Sequence, residues 1–150
     1  LLAGLILSRF SQTLAGTPAL ISFVPLIVGL AQVVGAQSLA VAQRVGISGA
    51  ARPAWSQIGI GSTVGVVSGA VIGMIAWLCH RDIALALAVG SSVTTALVLA
   101  SLVGVLAPLA LSRWQERVHL ATGALVDAVN SVGSVLAYLV LVTVILELLR

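Results

Sequence analysis

The sequence predicts an all-α integral membrane bundle of five transmembrane helices, of which the first is truncated. Three observations lead to this fold class. Hydrophobic residues make up 60% of the chain and charged residues only 7%, whereas a soluble domain is about one quarter charged. The 150 residues have room for about five spans of ~20–25 residues. The seven basic residues are all arginines and fall near the ends of the apolar segments, as expected for membrane interfaces and loops.

The first two apolar segments differ in length. Segment one, 1–7, is too short to cross a bilayer, because a span needs about 20 residues. We therefore expect a single membrane domain over 1–150, taken from a longer protein. Segment two, 19–42, follows Pro18, which suits a helix start. This segment contains helix breakers and amide side chains, which are Pro25, Gly29, Gln32, Gly35 and Gln37. A span tolerates such residues where a cavity or other helices satisfy the backbone.

Segment three, 58–79, follows a predicted loop over 46–56 and carries glycines at four-residue spacing. These are Gly61, Gly65, Gly69 and Gly73. The spacing predicts a smooth helix face on which another backbone packs closely. A polar turn over 80–82 leads to segment four, 83–111, in which Pro108 can produce a kink. A second loop, 113–119, precedes segment five, 120–149.

Segment five contains a single acid in its apolar stretch, Asp127, with no other charge from 120 to 146. Such residues are costly in hydrocarbon, and they usually face a protein interior or a wet cavity. Asn130, Ser131 and Ser134 follow at i+3, i+4 and i+7, so the four side chains share one helix face. This polar stripe on an apolar helix favours a path for a hydrated solute. The alternative is that Asp127 reaches back to the headgroups and that the other three join helices.

Several function classes find no support in the sequence. Cys79 is the only cysteine, so an internal disulfide or a cysteine metal cluster cannot form. No His or Lys lies within an apolar stretch to activate a serine or threonine, so we do not expect an enzyme. The arginines mark membrane topology, so we expect the lipid bilayer and no nucleic acid as a partner. Four arginines lie on one side of the membrane and three on the other, so we expect the side with four to be cytoplasmic. These four are Arg44, Arg52, Arg113 and Arg117.

Short motifs in four parts of the chain resemble one transporter family. They are Phe23-Val24-Pro25-Leu26-Ile27 with Gly29, then Gly35-Ala36-Gln37-Ser38-Leu39 with Arg44, then Gly104 with Pro108, and Ala121-Thr122-Gly123 with Val126. In this order and spacing they are similar to the membrane domain of the MgtE-type magnesium transporters, which include solute carrier family 41. The resemblance implies transport of a divalent cation, most often Mg²⁺, by a homodimer whose pore is lined by helices two and five.

The resemblance also shows where this chain departs from the family. The Gly-Gly-Asn of helix two becomes Ala31-Gln32-Val33, and the pore-lining Asp of helix five falls near Asn130 or Ser131. Asp127 remains one turn away on the same face. From the resemblance and the stripe together, we expect Asp127, Asn130, Ser131, Gln37 and Gln32 to contact Mg²⁺ or its water shell. We expect Mg²⁺ as the transported ion and no organic cofactor.

The missing family acids leave two other functions open. One is a degenerate membrane module that does not transport but pairs with a homologous half or anchors a partner through its glycine face. The other is transport of a different solute, such as a monovalent cation or a proton. The expected location is the plasma membrane, with several spans.

Overall fold

The computed structural model describes residues 18–48, 52–111 and 119–149. They form four helices, which are α1 (Ala19–Ser48), α2 (Arg52–His80), α3 (Ile83–Leu111) and α4 (His119–Leu149). Each helix contains a stretch of 23 to 27 residues that is long and apolar enough to cross a membrane. The prediction of an all-α membrane bundle is confirmed for these residues, and the chain is a multi-pass integral membrane protein.

The number and the ends of the helices differ from the prediction. The described residues contain four helices instead of five, and segment one, 1–7, lies outside them. The sequence predicts a loop over 46–56, but α1 continues to Ser48 and α2 begins at Arg52. Pro53 lies in the first turn of α2 and is compatible with this early start. The N–H groups of a first turn have no acceptor within the helix, so a proline there removes no hydrogen bond.

The helix α3 lies at the centre of the bundle and packs against all three other helices. Half of its apolar stretch is buried, compared with a third or less in each of the others. Val89, Val93 and Leu97 are completely covered. The helices α1, α2 and α4 therefore surround α3 and present most of their outer faces to the bilayer.

The four-residue glycine spacing of α2 produces close packing against α3. A Cβ atom at Gly65 would lie 3.0 Å from the Thr94 carbonyl oxygen, and a Cβ at Gly69 would overlap the carbonyl of Gly90. Without these side chains the two backbones can approach closely. The predicted helix packing on this glycine face is confirmed, and the partner lies within the same chain.

The connection between α2 and α3 is only two residues long. Arg81 has a φ of 56°, and its N–H donates to the Trp77 carbonyl oxygen over 2.7 Å, which closes the end of α2. The Asp82 carboxylate then accepts from the N–H of Ala84 over 2.9 Å and of Leu85 over 3.2 Å, and so caps α3. The chain therefore reverses its direction across the membrane in the space of one turn.

Candidate functional site

A polar contact joins α1 to α4 inside the otherwise apolar bundle. Gln32 Nε2 donates a hydrogen bond of 2.9 Å to Ser131 Oγ. Ser131 Oγ in turn donates to the backbone carbonyl oxygen of Asp127 over 2.7 Å. Both side chains are only partly buried, so the pair lies at the edge of the helix contact. Two of the predicted site residues, on segments far apart in sequence, are thus brought together.

The register of α1 and α4 follows from three contacts. Tyr138 donates from its hydroxyl to the Leu20 carbonyl oxygen over 3.1 Å, Gln32 meets Ser131, and Gly35 meets Asn130. Across these three contacts the residue numbers on α1 rise from 20 to 35, while those on α4 fall from 138 to 130, so the two helices are antiparallel. The end of α1 beyond Gly35 therefore lies level with the part of α4 that precedes Asn130.

Asp127 lies in that part of α4, one turn before Ser131 on the same face. Its side chain is exposed at the surface of the described bundle. It is four residues into the apolar stretch that begins at Gly123, about 6 Å along the helix axis. Asp127 therefore lies within the apolar stretch and is accessible from outside the bundle, and its backbone carbonyl oxygen accepts from Ser131.

Asn130 is buried, with 3% of its surface exposed. Neither its amide nitrogen nor its amide oxygen has a hydrogen-bond partner in the part of the chain that the structure describes. A Cβ atom at Gly35 would overlap the amide nitrogen, so the side chain fits only because residue 35 is glycine. An unpaired buried amide costs about 1–3 kcal/mol, so a water molecule or another polar group that reached Asn130 would stabilise it.

Gln37 is not brought to the α1–α4 contact. It is exposed and follows Gln32 by five positions, which turns it about 140° around α1. Gln37 therefore lies on the outer surface of α1, away from the edge where Gln32 meets Ser131. Ser134 is buried, and its hydroxyl donates to the Ser131 carbonyl oxygen over 3.3 Å.

A second polar contact, which the sequence analysis does not predict, joins α1 to α3. The hydroxyls of Ser38 and Ser101 are 3.1 Å apart and buried. One turn away, a Cβ atom at Gly104 would overlap the Gly35 carbonyl oxygen, so α1 and α3 cross closely there. Ala100 and Gly104, small residues four positions apart, are a signal of such a crossing. This crossing positions Gly35 against Asn130.

The donor set suits a hydrated cation better than a bare one. Within 18–48, 52–111 and 119–149, no three His, Cys, Asp or Glu side chains cluster as a metal site would require. The polar side chains on this part of α1 and α4 are one carboxylate, Asp127, one hydroxyl, Ser131, and one amide, Gln32. Mg²⁺ dehydrates reluctantly and is commonly held through one or two carboxylates with several waters retained, which this set can provide.

Comparison with known proteins gives one result. A family model described as MgtE, divalent cation transporter, matches residues 24–141, well over half of the chain. The match begins within α1 and ends within α4, so it includes α2, α3 and the polar contact between α1 and α4. No curated protein matches the chain.

Proposed function

Because this chain belongs to the MgtE family of divalent cation transporters, we propose that it moves Mg²⁺ across the membrane along a path lined by α1 and α4. The observation that carries the proposal is the exposed Asp127, one helix turn from Ser131, which is hydrogen-bonded to Gln32. A charge at this depth requires water or a protein partner. A water-filled path along the edge of α1 and α4 meets that requirement.

In this path Asp127 supplies the charge, and the neighbouring polar groups contact the water shell of the ion. Ser131 is already donating to the Asp127 carbonyl oxygen and accepting from Gln32, so both groups are oriented before an ion arrives. Asn130 lies behind them with an unpaired amide. A small rotation of α4 would bring that amide to the path, and its unpaired atoms favour such a rotation.

We propose further that the path is completed by a second copy of the chain in the plasma membrane. Asp127 and Gln37 are both exposed on the described bundle, on α4 and on the outer surface of α1. A homodimer that buries these surfaces would place two carboxylates on one path. Gln37 contacts the ion's water only in such an assembly, because within one chain it faces away from α4.

The test of the proposed function is Mg²⁺ uptake into liposomes that contain the full-length protein. Uptake should exceed that of protein-free liposomes. In a variant that lacks Cys79 and keeps Asp127, a cysteine at Ser131 should react with a water-soluble thiol reagent, and Mg²⁺ should slow this reaction. A cysteine at Ala128, an exposed position on α4, is the control and should not be protected by Mg²⁺. Uptake without any protection of the Ser131 position would exclude the α1–α4 edge as the path.

The second candidate function is a membrane module that does not transport. The observation in its favour is the absence, among the described residues, of any cluster of three potential metal ligands. The same uptake experiment separates the two candidates, since this module gives no uptake above protein-free liposomes. A second, acid-bearing copy of the domain in the full-length sequence would also favour the module.

A further inference from the structure

An open groove runs along the outside of the α2–α3 contact, on the lipid-facing surface. Its volume is about 610 Å³, within the range of about 300–1,000 Å³ that is typical of small-ligand sites. The floor is the close contact of Gly69, Gly73 and Gly90. Larger apolar side chains form the sides, among them Met74, Trp77 and Leu87. Because glycines form the floor, a shallow open groove remains between the larger side chains although the two helices touch.

The polar groups along the groove are already hydrogen-bonded to the helices themselves. Ser91 Oγ donates to the Leu87 carbonyl oxygen over 2.6 Å. Thr94 Oγ1 is 3.1 Å from the Gly65 carbonyl oxygen and 3.0 Å from that of Gly90. The polar groups of a ligand would therefore lack hydrogen-bond partners along this lining. A hydrocarbon chain has no such groups and loses nothing there.

One end of the groove carries a positive charge. The Arg81 guanidinium carbon lies 6.0 Å from the centre of the Trp77 ring, and that ring lines the groove. The positive φ of Arg81 turns the chain back at this point, so the guanidinium lies over α2. The neighbouring Asp82 carboxylate is engaged by the N–H groups of Ala84 and Leu85. Trp77 and Arg81 are residue types that anchor at the headgroup level.

We propose that this groove binds an anionic phospholipid, with an acyl chain along Gly69, Gly73 and Gly90 and the phosphate beside Arg81. The two ends of the groove match the two parts of such a molecule, which are a hydrocarbon chain and a negative headgroup at the interface. A basic side chain near the membrane surface attracts an anionic headgroup, and with Arg44 and Arg52 in the cytoplasm the phosphate lies in the opposite leaflet. The ion path lies along α1 and α4, so this lipid site is independent of the proposed transport function.

The test is native mass spectrometry of the delipidated full-length protein, titrated with phosphatidylglycerol or phosphatidylcholine of identical acyl chains. The first binding event should favour phosphatidylglycerol about five-fold, which corresponds to about 1 kcal/mol for one basic side chain near the headgroup. Arg81→Asn should abolish this preference, because Asn tolerates the positive φ but carries no charge. Arg81→Lys should retain it. Arg44→Asn removes a charge on the opposite side of the membrane from Arg81, and it should leave the preference for phosphatidylglycerol unchanged.

A second pair of variants tests the acyl chain. Ala70→Phe places a ring in the groove and should weaken the first binding event for both lipids. Val71→Phe adds a ring to the neighbouring exposed position, which does not line the groove, and should have no effect. Equal effects of these two substitutions, or equal loss of preference in the Arg44 and Arg81 variants, would overturn the proposal. So would displacement of the lipid by soluble glycerol 3-phosphate, because that would show binding without an acyl chain.

Discussion

The charge of Asp127 should affect divalent ions more than monovalent ions. The side chain is exposed on the described bundle, and in the proposed water-filled path the dielectric constant of water applies to its interactions. At about 5 Å, with one water layer between, one carboxylate attracts a divalent ion by about 1.7 kcal/mol and a monovalent ion by about 0.8 kcal/mol. If this attraction is also felt at the barrier, Asp127→Asn should reduce Mg²⁺ flux roughly 15-fold and monovalent flux roughly four-fold. The substitution keeps the size and the hydrogen-bonding capacity of the side chain.

The assay is ion uptake into liposomes containing the full-length protein, measured at low and at physiological ionic strength. The matched control is Asp82→Asn, which removes an exposed acid at the other membrane side. Asn caps a helix about as well as Asp, so the control should fold and should transport normally. The effect of Asp127→Asn should shrink at higher salt, because exposed charges are screened.

Two outcomes would refute the reasoning about Asp127. Equal losses of divalent and monovalent flux would show that the substitution alters packing, not electrostatics. An unchanged Mg²⁺ flux would remove Asp127 from the path altogether.

Three further predictions concern packing and orientation. Gly69→Ala should lower the melting temperature in detergent, because its Cβ overlaps the Gly90 carbonyl, whereas Gly59→Ala, with open space around its Cβ, should raise it slightly through helix propensity; equal shifts would contradict the close α2–α3 contact. Gly35→Ala should destabilise the bundle by about 1–3 kcal/mol through overlap with the Asn130 amide, and Asn130→Ala should offset part of this loss in a double-mutant cycle; strict additivity would argue against the contact. A cysteine at Gln115, in an otherwise cysteine-free protein, should escape an impermeant reagent in intact cells, and its labelling would reverse the predicted orientation.

The packing of α2 shows what the sequence can predict and what it cannot. Glycines at every fourth position must lie on one helix face, so close packing follows from spacing alone. Spacing carries no information on which helix fills that face. The choice of α3 depends on the two-residue connection through Arg81 and Asp82, whose tight reversal forces the next helix alongside.

The candidate site shows a different limit. Asp127, Asn130 and Ser131 share a broad face by spacing, but they lie in three environments, exposed, buried and partly buried. Residues three or four apart still differ by about 40–60° around a helix. The angle at which α4 crosses its neighbours decides which of them faces inward, and that angle depends on contacts such as Gly35 with Asn130. The contact of Gln32 with Ser131 depends on the same geometry.

The central position of α3 has a consequence for how the protein enters the membrane during synthesis. The helix α1 emerges from the ribosome before α2, α3 and α4, yet it packs more extensively against α3 and α4 than against α2, which follows it. Until α3 arrives, the Ser38 hydroxyl lacks Ser101, and until α4 arrives, the Gln32 amide lacks Ser131. In lipid, polar groups without a hydrogen-bond partner bind the nearest group that can donate or accept. The helices α2 and α3, adjacent in sequence and joined by two residues, can insert as one hairpin, onto which α1 then docks.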